Sequence, residues 1–222
     1  MNSFLYLYYA YLAVVALPIL AGLFGYKHLG RDMRIFWIMM IITMITEIVT
    51  LIMAFMGLNN NWVHNVFLPI ESTLFTYVLA GWLSKRSEKK VVYISLVTFI
   101  SLHSYLAVFI LDNKQMNTVT STLMCIYYAI LASYTIFQIQ KADYGAIYQD
   151  YRFWICGALL FYSAGDLTFF RYYVAYSGIT IWEAHILINI ATYCTYAWGF
   201  RVHIRNGKRA KGEPAISGPV SF

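Results

Sequence analysis

Seven runs of apolar residues, each about as long as a bilayer is thick, take up almost the whole chain and leave no room for a soluble domain. They fall near residues 4–26, 35–57, 66–84, 91–112, 118–140, 153–175 and 183–203. A hydrocarbon core of about 30 Å is crossed by roughly 20 helical residues. In that medium every backbone amide must be satisfied within the structure itself, so such runs predict helices. The expected fold is therefore all-α, a single seven-helix integral-membrane bundle over residues 1–203. Composition agrees: the 222 residues are 60% hydrophobic and 12% charged, where soluble domains carry about 25% charged residues. The first run has no basic residue before it and no small-residue cleavage site, so it reads as a retained helix and not a signal peptide.

A net charge of +6 would suit a nucleic-acid partner if the basic residues shared one face. They lie instead in alternate connections, which excludes that class. Lys27, Arg31 and Arg34 stand in the first connection, Lys85, Arg86, Lys89 and Lys90 in the third, and Lys141 and Arg152 in the fifth. Arg201, Arg205, Lys208, Arg209 and Lys211 follow the last run, whereas the fourth connection has only Lys114 and the second and sixth have none. The positive-inside rule then predicts an outside N-terminus and a cytoplasmic C-terminus, in a bacterial-type cytoplasmic membrane. Residues 204–222, rich in Gly, Pro, Lys and Ser, read as a disordered basic tail that fixes topology or meets anionic lipid.

The chain also repeats itself. Tyr8-Tyr9-Ala10 recurs as Tyr127-Tyr128-Ala129, Phe36-Trp37 as Phe153-Trp154, Glu47 falls opposite Asp166, and Trp62 opposite Trp182. All four offsets lie close to 119 residues. This register implies two three-helix units, 1–84 and 118–203, joined by a connector helix at 91–112. An odd connector keeps the units in the same orientation, a parallel 3+1+3 repeat.

Carboxylates inside apolar runs are costly and point to function by default. Glu47 lies past the middle of the second run, Asp166 past the middle of the sixth, and Glu183 at the start of the seventh. In the third run, Pro69-Ile70-Glu71 reads as a helix start, with the proline in the first turn and an acid soon after. Glu71, Glu47 and Asp166 are the candidate catalytic groups, gathered toward the outer half. His185, Asn189, Asn65, Tyr162 and Arg171 are candidate substrate-binding residues. His185, Asn189, Thr192 and Tyr196 share one helix face by spacing, and Arg171 can snorkel outward or pair with Glu183. The inner half reads as apolar, hydroxyl and amide residues. His64 reads as a loop residue, and His103 as a packed, hydrogen-bonded histidine. Cys125, Cys156 and Cys194 read as small packing residues. No His-x-x-x-His pair is present, so neither a metal nor any other cofactor is expected. The aromatic share is 18%, with Tyr162, Phe169 and Phe170 around Asp166. An acid among aromatic faces can protonate an alkene and steady a cation, and it can equally bind a lipid or a protonated amine.

Pro69-Ile70-Glu71, followed by Leu74-Phe75 and preceded by Glu47, resembles the Pro-x-Glu-Glu motif and preceding acid of the membrane-embedded lycopene cyclases. The resemblance implies two three-helix units and acid–base chemistry on an isoprenoid, with Glu71 and Glu47 as acid and base and Asp166 as electrostatic partner. Ser72 stands where that family has its second glutamate. Gly157-Ala158-Leu159-Leu160-Phe161, continuing to Gly165-Asp166, is similar to a segment of the lysoplasmalogenase-like membrane proteins. That likeness implies ether-lipid hydrolysis by Glu47 and Asp166. A third reading is a 3+1+3 small-solute transporter or receptor, for which an axial path through the midplane is expected. The expected partner is a membrane lipid or isoprenoid ligand, with self-association into a homo-oligomer left open.

Overall fold

The computed structural model describes residues 2–110, 118–142, 147–175 and 179–210. They form seven long α-helices: α1 (Asn2–Phe24), α2 (Arg31–Phe55), α3 (Asn61–Trp82), α4 (Arg86–Tyr105), α5 (Thr118–Ala142), α6 (Tyr151–Ala175) and α7 (Ile179–Ala210). A π-helical turn, Leu106–Ile110, extends α4. No strand occurs among the described residues. Among the described residues, four helical stretches are long and apolar enough to cross a membrane: Phe4–Phe24, Arg31–Phe55, Arg86–Ile110 and Thr118–Lys141. Of the remaining long helices, α3 and α7 carry the polar residues Glu71, His185 and Asn189, which dilute their apolar character, and α6 carries Asp166.

Most helices begin before the apolar runs do, because polar residues at their ends extend the helix without extending the run. The largest difference is in α3. Asn59 Oδ1 accepts the Asn61 N–H at 2.9 Å, and the helix starts there. Pro69 therefore lies more than two turns inside α3, not in its first turn, and His64 is helical and not part of a loop. At the other end of the chain α7 runs on to Ala210, so the segment read as a disordered tail begins as helix; residues 211–222, and Lys114, lie outside the described residues.

Helices α1, α2 and α3 pack in sequence, as do α5, α6 and α7. Contacts of α1 with α7 and of α3 with α5 close the six into a ring, while α4 packs across α3 and α5. Helices α1 and α7 run in the same direction, since Tyr11 meets Tyr193 and a Cβ on Gly25 would meet Ile204. Gly22 shows how close the first pair lies: a Cβ there would fall 2.0 Å from Trp37 Cδ1. That closeness lets the Trp37 indole N–H donate to the Ile19 carbonyl at 2.8 Å.

The core of the ring is aromatic. Phe36 packs edge-on against Phe75 and Tyr196, at 5.7 and 5.1 Å, and stacks on Phe200 at 5.6 Å. Phe75 reaches Tyr128 at 5.1 Å, and all five rings are buried. Aromatic pairs at such distances add about 0.5–1.5 kcal/mol each beyond simple burial. The outward faces stay apolar as well, with Ile45 and Ile130 56% and 66% exposed. A ring that is apolar on both sides matches a lipid surround better than water.

At the end where α2 begins, a polar network ties four helices together. Trp82 Nε1 and the Tyr151 hydroxyl both donate to Asp32 Oδ2, at 2.7 and 2.6 Å. The Gly30 N–H donates to His203 Nε2 at 3.1 Å, and the His203 ring sits edge-on to Tyr151 at 4.3 Å. This end is mainly apolar, hydroxyl and amide in character, as the spacing of polar residues predicts, but the half-buried Asp32 and His203 give it ionisable groups of its own.

Candidate functional site

On the far side of the aromatic core the ring encloses a cavity of about 510 Å³. Helices α1, α2, α3, α5, α6 and α7 all line it, and no described residue of α4 does. On α2 the lining residues are Thr43, Glu47, Thr50, Leu51 and Ala54, a single helix face. At 1.5 Å per residue that face gives the cavity a depth of about 16 Å. Asn60 and Asn61, at the α2–α3 connection, mark one end; Tyr128 of the aromatic core, with Tyr11 and Tyr193 beside it, marks the other.

Glu47, Glu71, Asp166, His185, Asn189, Asn65 and Tyr162 all line this one cavity. The side chain of Arg171, and with it the pairing to Glu183, lies outside the described residues, as does the side chain of Phe170. Glu183 is not among the lining residues. His64 joins the wall, a residue that the sequence reading set aside because it placed His64 in a loop. Tyr8, Tyr11 and Tyr193 also belong to it, and only their position on the helix faces turned toward Glu47 could have marked them among 20 tyrosines.

The three carboxylates are held differently. Glu47 accepts a hydrogen bond from the Tyr8 hydroxyl at 2.7 Å, which fixes it to α1. Asp166 is buried, with its Oδ1 3.0 Å from His185 Nδ1. The approach of α6 to α7 that brings them together depends on Gly165, where a Cβ would fall 2.6 Å from Ile188. Phe169 stacks on the His185 ring at 4.4 Å and meets Trp182 edge-on at 5.0 Å. His185 Nε2 stands 3.1 Å from Asn189 Nδ2, so Asp166, His185 and Asn189 form one connected row. The Asn189 amide N–H faces Nε2, while His185 Nδ1 and Asp166 Oδ1, although 3.0 Å apart, make no hydrogen bond among the described residues. Glu71 makes no hydrogen bond or ion pair with the described residues, although its charge is felt by both Asp166 and Glu47.

Pro69 prepares this part of α3. With no N–H, it leaves the carbonyl of Asn65, four residues back, without its helical donor. His103 of α4 supplies one: its Nε2 stands 2.8 Å from the Asn65 oxygen. A carbonyl only accepts, so Nε2 carries the proton and Nδ1 receives the Thr120 hydroxyl, at 2.8 Å. His103 is thus the packed, hydrogen-bonded histidine that its isolation in an apolar run predicts. Ser72 and Thr73 add their hydroxyls to the Pro69 carbonyl, at 2.9 and 2.7 Å. Ser72, in the place of a second glutamate, thereby turns to its own backbone and not to the cavity.

Chemically the site offers one clamped carboxylate, one carboxylate beside an imidazole, and one with no hydrogen-bond partner among the described residues, inside aromatic walls. The three cysteines stay apart as free thiols, though Cys125 lines the cavity. Among the described residues no group of three His, Cys, Asp or Glu side chains is arranged to hold a metal ion. Comparison of the chain with protein-family models, curated proteins and solved structures finds no match, so the chemistry of the site is read from its own residues.

Proposed function

We propose that the chain is a seven-span membrane protein, N-terminus outside and C-terminus cytoplasmic, that binds a lipid or isoprenoid in this cavity. On that ligand Glu71 and Glu47 act as acid and base, with Asp166 as their electrostatic partner and His185 and Asn189 orienting the bound molecule. This is the chemistry that the resemblance to the membrane-embedded lycopene cyclases implies: a proton given to one alkene makes a carbocation, a second double bond attacks it to form the ring bond, and loss of a proton from an adjacent carbon restores one double bond, with no net change in atoms. The observation that carries the reading is the convergence of all three carboxylates on one aromatic cavity of about 510 Å³, a volume typical of small-molecule sites. The six-helix ring with α4 outside it is the arrangement expected of two three-helix units and a connector.

A second reading, lipid hydrolysis of the lysoplasmalogenase-like kind, draws support from Glu47 and Asp166 lining the same cavity, where either carboxylate could take a proton from water. The carrier reading draws less support, because the buried aromatic rings lie across the axial path such a protein needs.

Mass spectrometry of lipids retained by the purified protein tests the ligand class. One lipid or isoprenoid species is expected to be enriched over the bulk membrane extract. A retained mixture identical to bulk lipid would overturn the reading. A fluorescent reporter fused after Phe222 checks the orientation: it should fold and glow inside the cell, and a dark fusion would reverse the assigned topology.

A further inference from the structure

We propose that the polar end of the ligand is a protonated primary amine, seated between Asp166, Glu71 and Asn189. This rests on reading the cavity as a ligand site but not on the acid–base chemistry, since a carboxylate that accepts from an ammonium is not free to protonate an alkene; the ligand it implies is a cationic amphiphile or alkylamine.

Charge is the first argument. Three carboxylates line the cavity, and no Lys or Arg stands among its described lining residues. The imidazole nearest Asp166 comes within 3.0 Å of its Oδ1 without making a hydrogen bond to it, so that carboxylate oxygen is left open to another donor. Ionised carboxylates that share a space of low dielectric repel one another, and a monocation among them removes that repulsion.

The second argument is the count of donors and acceptors. Asn189 is only 7% exposed and its Nδ2 is engaged with His185, yet its Oδ1 has no partner. Glu71 likewise has no hydrogen bond to the described residues. Buried polar atoms are nearly always paired, so these oxygens ask for a donor. An ammonium group has three N–H donors and no acceptor, which suits an amide oxygen and two carboxylates together. A trimethylammonium group has no N–H and would leave the Asn189 oxygen orphaned. A phosphodiester would set further negative charge against the carboxylates. The aromatic walls supply what remains: ring faces that attract a cation, and apolar surface for an alkyl chain.

The test compares octylamine, trimethyloctylammonium, octanol and octanoate as ligands of the purified protein in non-ionic detergent, read by the fluorescence of Trp182 and its neighbours and by thermal denaturation. Octylamine is expected to bind about tenfold or more tightly than octanol, the worth of a charge-assisted hydrogen bond, with octanoate weakest. Asp166→Asn should bring octylamine down toward octanol. Equal binding of octylamine and octanol to the wild-type protein would overturn the amine assignment while leaving the cavity reading intact. Binding of none of the four would overturn both. Tighter binding of the trimethyl compound would remove the role given to the Asn189 oxygen. Because the decisive comparison is among ligands of the unaltered protein, it does not depend on any variant folding.

Discussion

Glu71→Gln is expected to lower turnover of the cavity ligand by about 10²- to 10⁴-fold, the usual contribution of a positioned acid or base, and to leave the folded yield unchanged. The two halves of that result come from separate observations. Glu71 faces the cavity and senses both Asp166 and Glu47, so loss of its proton exchange and charge strikes the centre of the site. It makes no hydrogen bond or ion pair with the described residues, so an amide of the same shape removes no structural contact. Comparing product lipids in cells that express either form, with size-exclusion profiles of both proteins, separates activity from folding. Full activity in Glu71→Gln would remove Glu71 from the mechanism. The contrast with Glu47 is informative, because Glu47→Gln also weakens the bond that holds Tyr8.

His103→Ala is expected to destabilise the protein by about 1–3 kcal/mol, the cost of leaving a buried polar group unpaired. Its removal takes away the donor to the Asn65 carbonyl and the acceptor of the Thr120 hydroxyl in one step. What makes the effect diagnostic is Pro69. In Pro69→Ala the restored N–H of residue 69 can reach the Asn65 oxygen as in any helix. The double variant should therefore lose less stability than the sum of the two single changes, with a coupling of about 0.5–3 kcal/mol. Denaturation in mixed micelles of the four forms measures it. Strict additivity would mean that the imidazole does not stand in for the missing amide. Because Asn65 also lines the cavity, the same cycle run on ligand affinity would report whether α4 supports the site from outside the ring.

The helices, and the side of the chain on which the polar residues gather, were legible because both are local properties. A run of apolar residues predicts a span, and a carboxylate within it predicts a polar interior. By this route Glu47, Glu71, Asp166, His185, Asn189, Asn65 and Tyr162 could be named together before any fold was in view, and they do line one cavity. The ends of the helices were less legible. Apolar runs stop where polar residues begin, but α3 continues through Asn61, His64 and Asn65 under an asparagine cap. Pro69 consequently looked like a helix start, and His64 like a loop. Pairings across long separations left no local trace either. Nothing in the spacing ties His103 to Asn65, Tyr8 to Glu47, or Tyr151 and Trp82 to Asp32, since each is created by which helices become neighbours.

The aromatic layer of Phe36, Phe75, Tyr128, Tyr196 and Phe200 has a kinetic consequence. It gives the cavity a floor and closes the axis of the bundle on that side. Under the proposed function, a substrate and its product then share the same remaining walls, so the product is expected to inhibit competitively, and turnover should follow how quickly product is drawn away into the surrounding lipid.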